Sequence, residues 1–192
     1  MINELVFRFA SWLDTFESST NLHESLYMYG WVESTHVLTL SLFLGMLLVI
    51  DLRLLGWGFT NIPASTLLEK LDKPMMIGFV IMVITGVLLY YAIPVRSSQS
   101  IFFRVKLILL IAAGINAFLI RQMTHGKDLA WDGDPRPPSR IRVGAGLSLT
   151  LWALIVAAGR MMAYDWWDCH KDMPNFMYWA AGCVNELAAM EQ

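Results

Sequence analysis

The sequence predicts an all-α membrane protein: a four-transmembrane-helix bundle with an N-terminal interfacial amphipathic helix and a C-terminal aromatic-rich tail. Three observations predict it. The chain is 56% hydrophobic and only 16% charged, where soluble domains average about 25% charged residues. Its mean hydropathy is positive. Its apolar residues gather into four runs, each long enough at 1.5 Å per residue to cross a hydrocarbon core of ~30 Å.

The runs cover about residues 31–50, 74–93, 103–121 and 143–163. They place a transmembrane domain over residues 21–163, between an interfacial helix over 1–20 and an extracytoplasmic tail over 164–192. A net charge of −2 supplies no dominant basic surface, which excludes nucleic acid as the main partner. The opening MINELVFRFASWLDTF lacks the basic, apolar and small-residue zones of a signal peptide.

In residues 2–17, Ile2, Leu5, Val6, Phe9, Trp12, Leu13 and Phe16 recur at helical spacing, with Glu4, Arg8, Asp14 and Glu17 largely on the other face. That pattern is too polar to span and suits a helix lying in the membrane interface. Ser18-Ser19-Thr20-Asn21 is expected to break it, with Asn21 and Glu24 forming a capping box for a new helix. His23 falls in that helix's first turn, and Tyr27, Tyr29 and Trp31 form an interface belt.

The first span dominates the chain. Residues 33–56 read ESTHVLTLSLFLGMLLVIDLRLLG, with no charge from Val37 to Ile50 and no polar stripe. A polar connection is expected from Asp51 to Lys73, with Pro74 in the first turn of the second span. A short loop, Pro94 to Ser100, makes the second and third spans antiparallel neighbours, and Arg104 and Lys106 can snorkel at the third span's entrance. Gln122 to Arg142, containing Asp132-Gly-Asp-Pro-Arg-Pro-Pro138, reads as an extended strap. After the fourth span, residues 175–190 are expected to form a second interfacial helix.

Four spans put both termini on one side. The connecting loops carry Arg53, Lys70, Lys73, Arg121, Lys127, Arg136, Arg140 and Arg142, against Arg8, Arg96, Arg104, Lys106, Arg160 and Lys171 on the terminal side. The positive-inside rule then expects a multi-pass protein of the bacterial inner membrane with both termini periplasmic. Cys169 and Cys183 would face an oxidising compartment, where a disulfide is expected.

His36 is the leading candidate for chemistry. It sits inside the first span, where ionisable groups are costly and mark functional sites by default. Glu33, one turn away, is placed to orient its imidazole, as carboxylates do for ligating histidines. One reading is an axial ligand to haem b, with Met161, Met162, His23 or His170 as the second ligand. The other is a histidine that braces the bundle. Copper is a further option for the set His23, Met28, His36, Met161, Met162, Cys169 and His170. Against it, most of 12 methionines in so apolar a chain serve as core filler. Asp51 and Arg53 do not face each other at i, i+2. Each is expected to pair with another element, such as Arg121 or the Glu69–Asp72 segment, in a structural role. Asn116 is expected to bond across to a neighbouring helix, with a quinone carbonyl as the alternative partner.

The segments His23-Glu-Ser-Leu-Tyr-Met-Tyr-Gly-Trp-Val-Glu33-Ser-Thr-His36, Asp51-Leu-Arg-Leu-Leu-Gly56, Thr85-Gly86, Phe103-Arg-Val-Lys106, Ile115-Asn116 and Gly159-Arg160-Met-Met-Ala-Tyr164 carry a resemblance. Over about residues 10–165 the chain resembles a family of uncharacterised bacterial four-helix integral membrane proteins, a domain of unknown function. Glu-x-x-His and Asp-Leu-Arg-Leu-Leu-Gly are its specific part. Members often carry Arg where His23 stands, so a ligand role for His23 would be peculiar to this chain. The resemblance implies fold and location but supplies no activity.

The function expected from the residues is a haem-b electron-transfer protein or a subunit of a redox complex. The alternatives are a cofactor-free accessory subunit and copper handling. Partners are the lipid bilayer and other membrane-protein subunits or a second copy. No enzyme of its own is expected.

Overall fold

The computed structural model describes residues 2–124, 130–164, 169, 172 and 174–183. The fold is all-α. Its helices are α1 (Ile2–Asp14), α2 (Glu17–Glu24), α3 (Met28–Leu55), α4 (Ala64–Ala92), α5 (Pro94–Ser98), α6 (Ile101–Thr124), α7 (Ser139–Met162) and α8 (Asn175–Ala181). Helices α3, α4, α6 and α7 are each long and apolar enough to cross a membrane. Among the described residues there are four such helices.

Several boundaries differ from the sequence expectation. The first span does not stop at residue 50: Asp51–Leu55 continues as the last turn of α3. Helix α4 begins at Ala64, so most of the expected connection up to Lys73 is helical and Pro74 lies inside the helix. Its missing N–H deletes one i→i−4 bond there. Ser18-Ser19-Thr20-Asn21 does not break the chain; it lies within α2. Tertiary bonds override the turn preference of these residues. Ser19 Oγ donates to the Tyr91 carbonyl at 2.7 Å, and Ser18 Oγ bonds the Tyr91 hydroxyl. The Asn21–Glu24 capping box is therefore absent, and His23 falls in the last turn of α2. Helix α3 is capped instead by Ser25, whose Oγ accepts the Met28 N–H at 3.1 Å. The Pro94–Ser100 loop contains the short α5.

The chain forms two compact units. One comprises His36–Val83 and Leu109–Ile155. Its first core cluster is Phe43, Met82, Ala113, Leu151, Trp152 and Ile155, with the Phe43 and Trp152 rings 4.8 Å apart. A second cluster, Leu54, Leu55, Ala64, Ile141 and Ala145, gathers beneath the interhelical loops. Burying side chains of this size stabilises by roughly 1.5–3 kcal/mol each in water. Within lipid that drive is weaker, and polar contacts between helices carry more of the specificity.

The other unit comprises Met1–Thr35, Ile84–Ile108 and Val156–Gln192. Here α1 packs on α5 and buries Ala10, leaving Ile2, Leu5, Phe9, Trp12 and Phe16 exposed as one row. Asn3 Nδ2 donates to the Trp179 carbonyl of α8 at 3.0 Å, and Arg104 Nη1 donates to Asn3 Oδ1 at 2.8 Å. Helix α8 ends in a left-handed glycine, Gly182 (φ 78°), where an added Cβ would meet the Arg104 guanidinium. Cys169 and Cys183 are joined as a disulfide. The expected helix over 175–190 is α8 as far as Ala181; residues 184–190 lie outside the described residues.

Candidate functional site

The first unit carries its polar side chains near the ends of α3, α4, α6 and α7. Helix α3 ends in a paired C-cap: Gly56 N–H donates to the Arg53 carbonyl at 3.1 Å and Trp57 N–H to the Leu52 carbonyl at 3.0 Å. Gly56 adopts φ 74°, the left-handed geometry this motif requires. The turn places Arg53 1% exposed and Asp51 3% exposed.

Arg53 does not pair with Arg121's neighbourhood or with the Glu69–Asp72 segment. Its Nε donates to the Ile62 carbonyl at 2.6 Å, and its Nη2 donates to the carbonyls of Asp132 at 2.8 Å and Asp134 at 3.2 Å. One guanidinium therefore holds both interhelical loops of this unit. Only arginine presents several donors in a fixed planar fork that reaches such divergent acceptors. Arg121 instead pairs with Asp72, Nη1 to Oδ1 at 3.1 Å, an exposed pair of little weight.

Asp132 adds a second function to the strap. Its Oδ1 accepts the Ser65 N–H at 2.7 Å, its Oδ2 accepts the Ser65 hydroxyl at 2.6 Å, and its carbonyl accepts the Ala64 N–H at 3.3 Å. Asp132 thus caps α4 from a distant point in the chain, which is why α4 starts at Ala64 behind Pro63. Partial burial alone would raise the Asp132 carboxyl. The Ser65 hydroxyl and amide, the Arg53 guanidinium and the Ala64 amide outweigh it, holding the group below the usual carboxylate range.

A group lowered in the folded state stabilises above its unfolded value, about 3.9. That stability is lost as pH falls through the lowered folded value. Acidification below about pH 4 is therefore expected to loosen the start of α4, read as faster amide exchange at Ser65. Asp132→Asn should remove this pH dependence and cost about 1 kcal/mol at neutral pH, the usual worth of a cap.

Two polar contacts tie α7 to its neighbours. Asn116 Nδ2 of α6 donates to the Gly144 carbonyl at 3.0 Å. Ser148 of α7 hydrogen-bonds the Asp51 carboxyl of α3. Asp51 Oδ2 and Arg53 Nη1 are buried without a hydrogen-bond partner among the described residues.

The chain matches a family model, a family of unknown function (DUF6644), over residues 20–165. It belongs to the DUF6644 family. No curated protein matches the chain, and no solved structure does. The matched DUF6644 region contains the Arg53 brace, Asp132, Asn116 and His36, whereas α1 and the Cys169–Cys183 disulfide lie outside it.

The redox candidates are less gathered. His36 is half-buried on α3, with Glu33 exposed one turn earlier. His23 is exposed and meets the Tyr29 ring edge-on, centroids 5.8 Å apart. Met161 and Met162 are half-buried at the end of α7. His170 lies outside the described residues, as does His125. Among the described residues no group of three or more His, Cys, Asp or Glu side chains is placed to hold a metal ion. Cys169, expected in the copper set, is committed to the disulfide and offers no thiolate. Sequence reasoning identified Arg53 as structural but missed its acceptors, because they are backbone carbonyls. Asp132 as a cap was missed for a related reason: it is remote from α4 in sequence.

Proposed function

We propose that this DUF6644 chain is an accessory subunit of a larger membrane assembly, docking through its amphipathic end. The observation that carries this is the row Ile2, Leu5, Phe9 and Trp12, exposed along α1 and continued by Phe16 just beyond it, while the opposite face packs on α5. Asn3 and Arg104 hold α1 in place, so the row is presented by a fixed helix rather than a loose arm. Contiguous apolar surface of this kind marks a protein or membrane contact. The buried polar groups of the other unit brace helices and loops, which suits a scaffold.

The test is native mass spectrometry of material extracted gently from its own membrane. A fixed-stoichiometry complex with a second integral protein is expected, lost in Phe9→Asp/Trp12→Asp while the bundle's thermal midpoint stays within about 2 °C. A chain that runs alone before and after substitution sinks the proposal.

A second reading, haem b bound through His36, is favoured by one observation: an imidazole sits half-buried within a spanning helix. It predicts a Soret band in the purified protein that His36→Ala abolishes. A colourless protein after haem reconstitution rules it out.

We also place the connecting loops in the cytoplasm and both termini in the periplasm of a bacterial inner membrane. Support comes from the loop arginines and lysines, and from the disulfide, which persists in oxidising compartments. A cysteine introduced at Ser139 should resist impermeant thiol reagents in intact cells; its ready labelling would invert the topology.

A further inference from the structure

The start of α7 offers a cavity that none of the roles above uses. It is open, about 330 Å³ in volume, and lined by Leu55, Ser139, Arg142 and Val143. That volume falls within the ~300–1,000 Å³ range of small-ligand clefts. Its lining is divided by chemistry. Leu55 and Val143 are aliphatic, while Arg142 and Ser139 supply a guanidinium and a hydroxyl.

Arg142 differs from the two arginines of its unit that brace other groups. Arg53 is bound to three loop carbonyls and Arg121 to Asp72. Arg142 is exposed, with no acidic or carbonyl partner among the described residues. The first-turn amides of Ile141 and Arg142 already donate to the Pro138 carbonyl, at 3.0 and 3.1 Å. Anion chemistry at this cavity therefore belongs to the side chains rather than to free backbone N–H groups.

Depth decides the kind of anion. Arg142 stands three residues inside a spanning helix, about 5 Å from its start by the helical rise. That is the level at which a spanning helix meets lipid headgroups. Val143, 70% exposed, continues the surface toward the hydrocarbon. We propose that this cavity is a binding site for one anionic diacyl phospholipid. Its phosphate would pair with Arg142 and Ser139, and its acyl chains would lie along Val143 and Leu55. Basic pockets between spanning helices recognise anionic headgroups in this manner.

The test uses the full chain in vesicles of phosphatidylcholine containing increasing phosphatidylglycerol, with retained lipid counted by native mass spectrometry. One phosphatidylglycerol per chain is expected, retained in preference to phosphatidylcholine. Arg142→Gln should lower that retention about tenfold, the loss of one charge-assisted hydrogen bond to the phosphate. Arg140→Gln, a neighbour that does not line the cavity, should lower it less than about twofold, being no more than a surface charge. Equal losses in the two variants would overturn the proposal, showing diffuse charge attraction instead of a site. Displacement of the lipid by millimolar inorganic phosphate would also overturn it, assigning the cavity to free phosphate. Should Arg142→Gln fail to fold, the wild-type titration decides: saturation at one lipid supports the site, and unsaturable uptake refutes it.

Discussion

Replacing Arg53 by alanine is expected to destabilise the protein by about 3–5 kcal/mol, because it removes several hydrogen bonds from a buried charged donor at once. The guanidinium makes three hydrogen bonds to carbonyls of the two interhelical loops. Bonds involving a charged partner contribute roughly 1.5–3 kcal/mol each and are not additive. Their loss leaves the Ile62, Asp132 and Asp134 carbonyls without this donor in a site where Arg53 is 1% exposed. Arg53→Lys should recover less than half of the loss, because one ammonium cannot serve acceptors that Nε and Nη2 reach from different directions. Unfolding in detergent with a chemical denaturant measures the change. Hydrogen exchange should locate it in residues 56–65 and 130–138. Alanine at wild-type stability would show that the loops hold without the brace.

Gly56→Val is the second large effect. Gly56 has φ 74°, which costs a side-chain-bearing residue roughly 1–2 kcal/mol before any contact is considered. A Cβ there would also stand 2.6 Å from the Pro135 carbonyl oxygen, a backbone atom of the strap. Strap and helix end must then separate, which pulls Asp132 and Asp134 away from Arg53. A total of about 3 kcal/mol or more follows when strain and a lost hydrogen bond combine. Gly58→Ala is the control. Its added Cβ would meet Leu52 side-chain atoms at 3.5 Å, ordinary van der Waals contact. Proteolysis of the strap should rise sharply in Gly56→Val and stay at the wild-type level in Gly58→Ala; similar rates in both would refute this account.

Much of the fold was legible from the sequence, for a simple reason. A spanning helix must satisfy its own backbone and show lipid an apolar surface, so it announces itself as an uninterrupted run. The errors fall where distant residues decide a local outcome. Ser18 to Asn21 looked like a break because their side chains compete for nearby backbone, yet Ser18 and Ser19 bond Tyr91 instead. Pro74 looked like a helix start because prolines favour first turns; Asp132 supplies the cap that moves the start back to Ala64. The candidate site shows the same limit. Arg53 was recognisable as a structural charge at the end of the first span, but a sequence displays neither its burial nor carbonyl oxygens as acceptors. His36 stood out because ionisable residues are rare in spans, and that rarity says nothing of what faces it.

The brace also has a consequence for synthesis. Arg53 and its acceptors at Asp132 and Asp134 are separated by 79 and 81 residues. At roughly 5–20 residues per second, a ribosome needs on the order of 4–16 s to travel that distance. Throughout that interval the nascent first span carries a guanidinium whose strap acceptors do not yet exist. Closing the brace therefore reports that translation has passed residue 134. A product truncated earlier keeps a guanidinium without its strap acceptors.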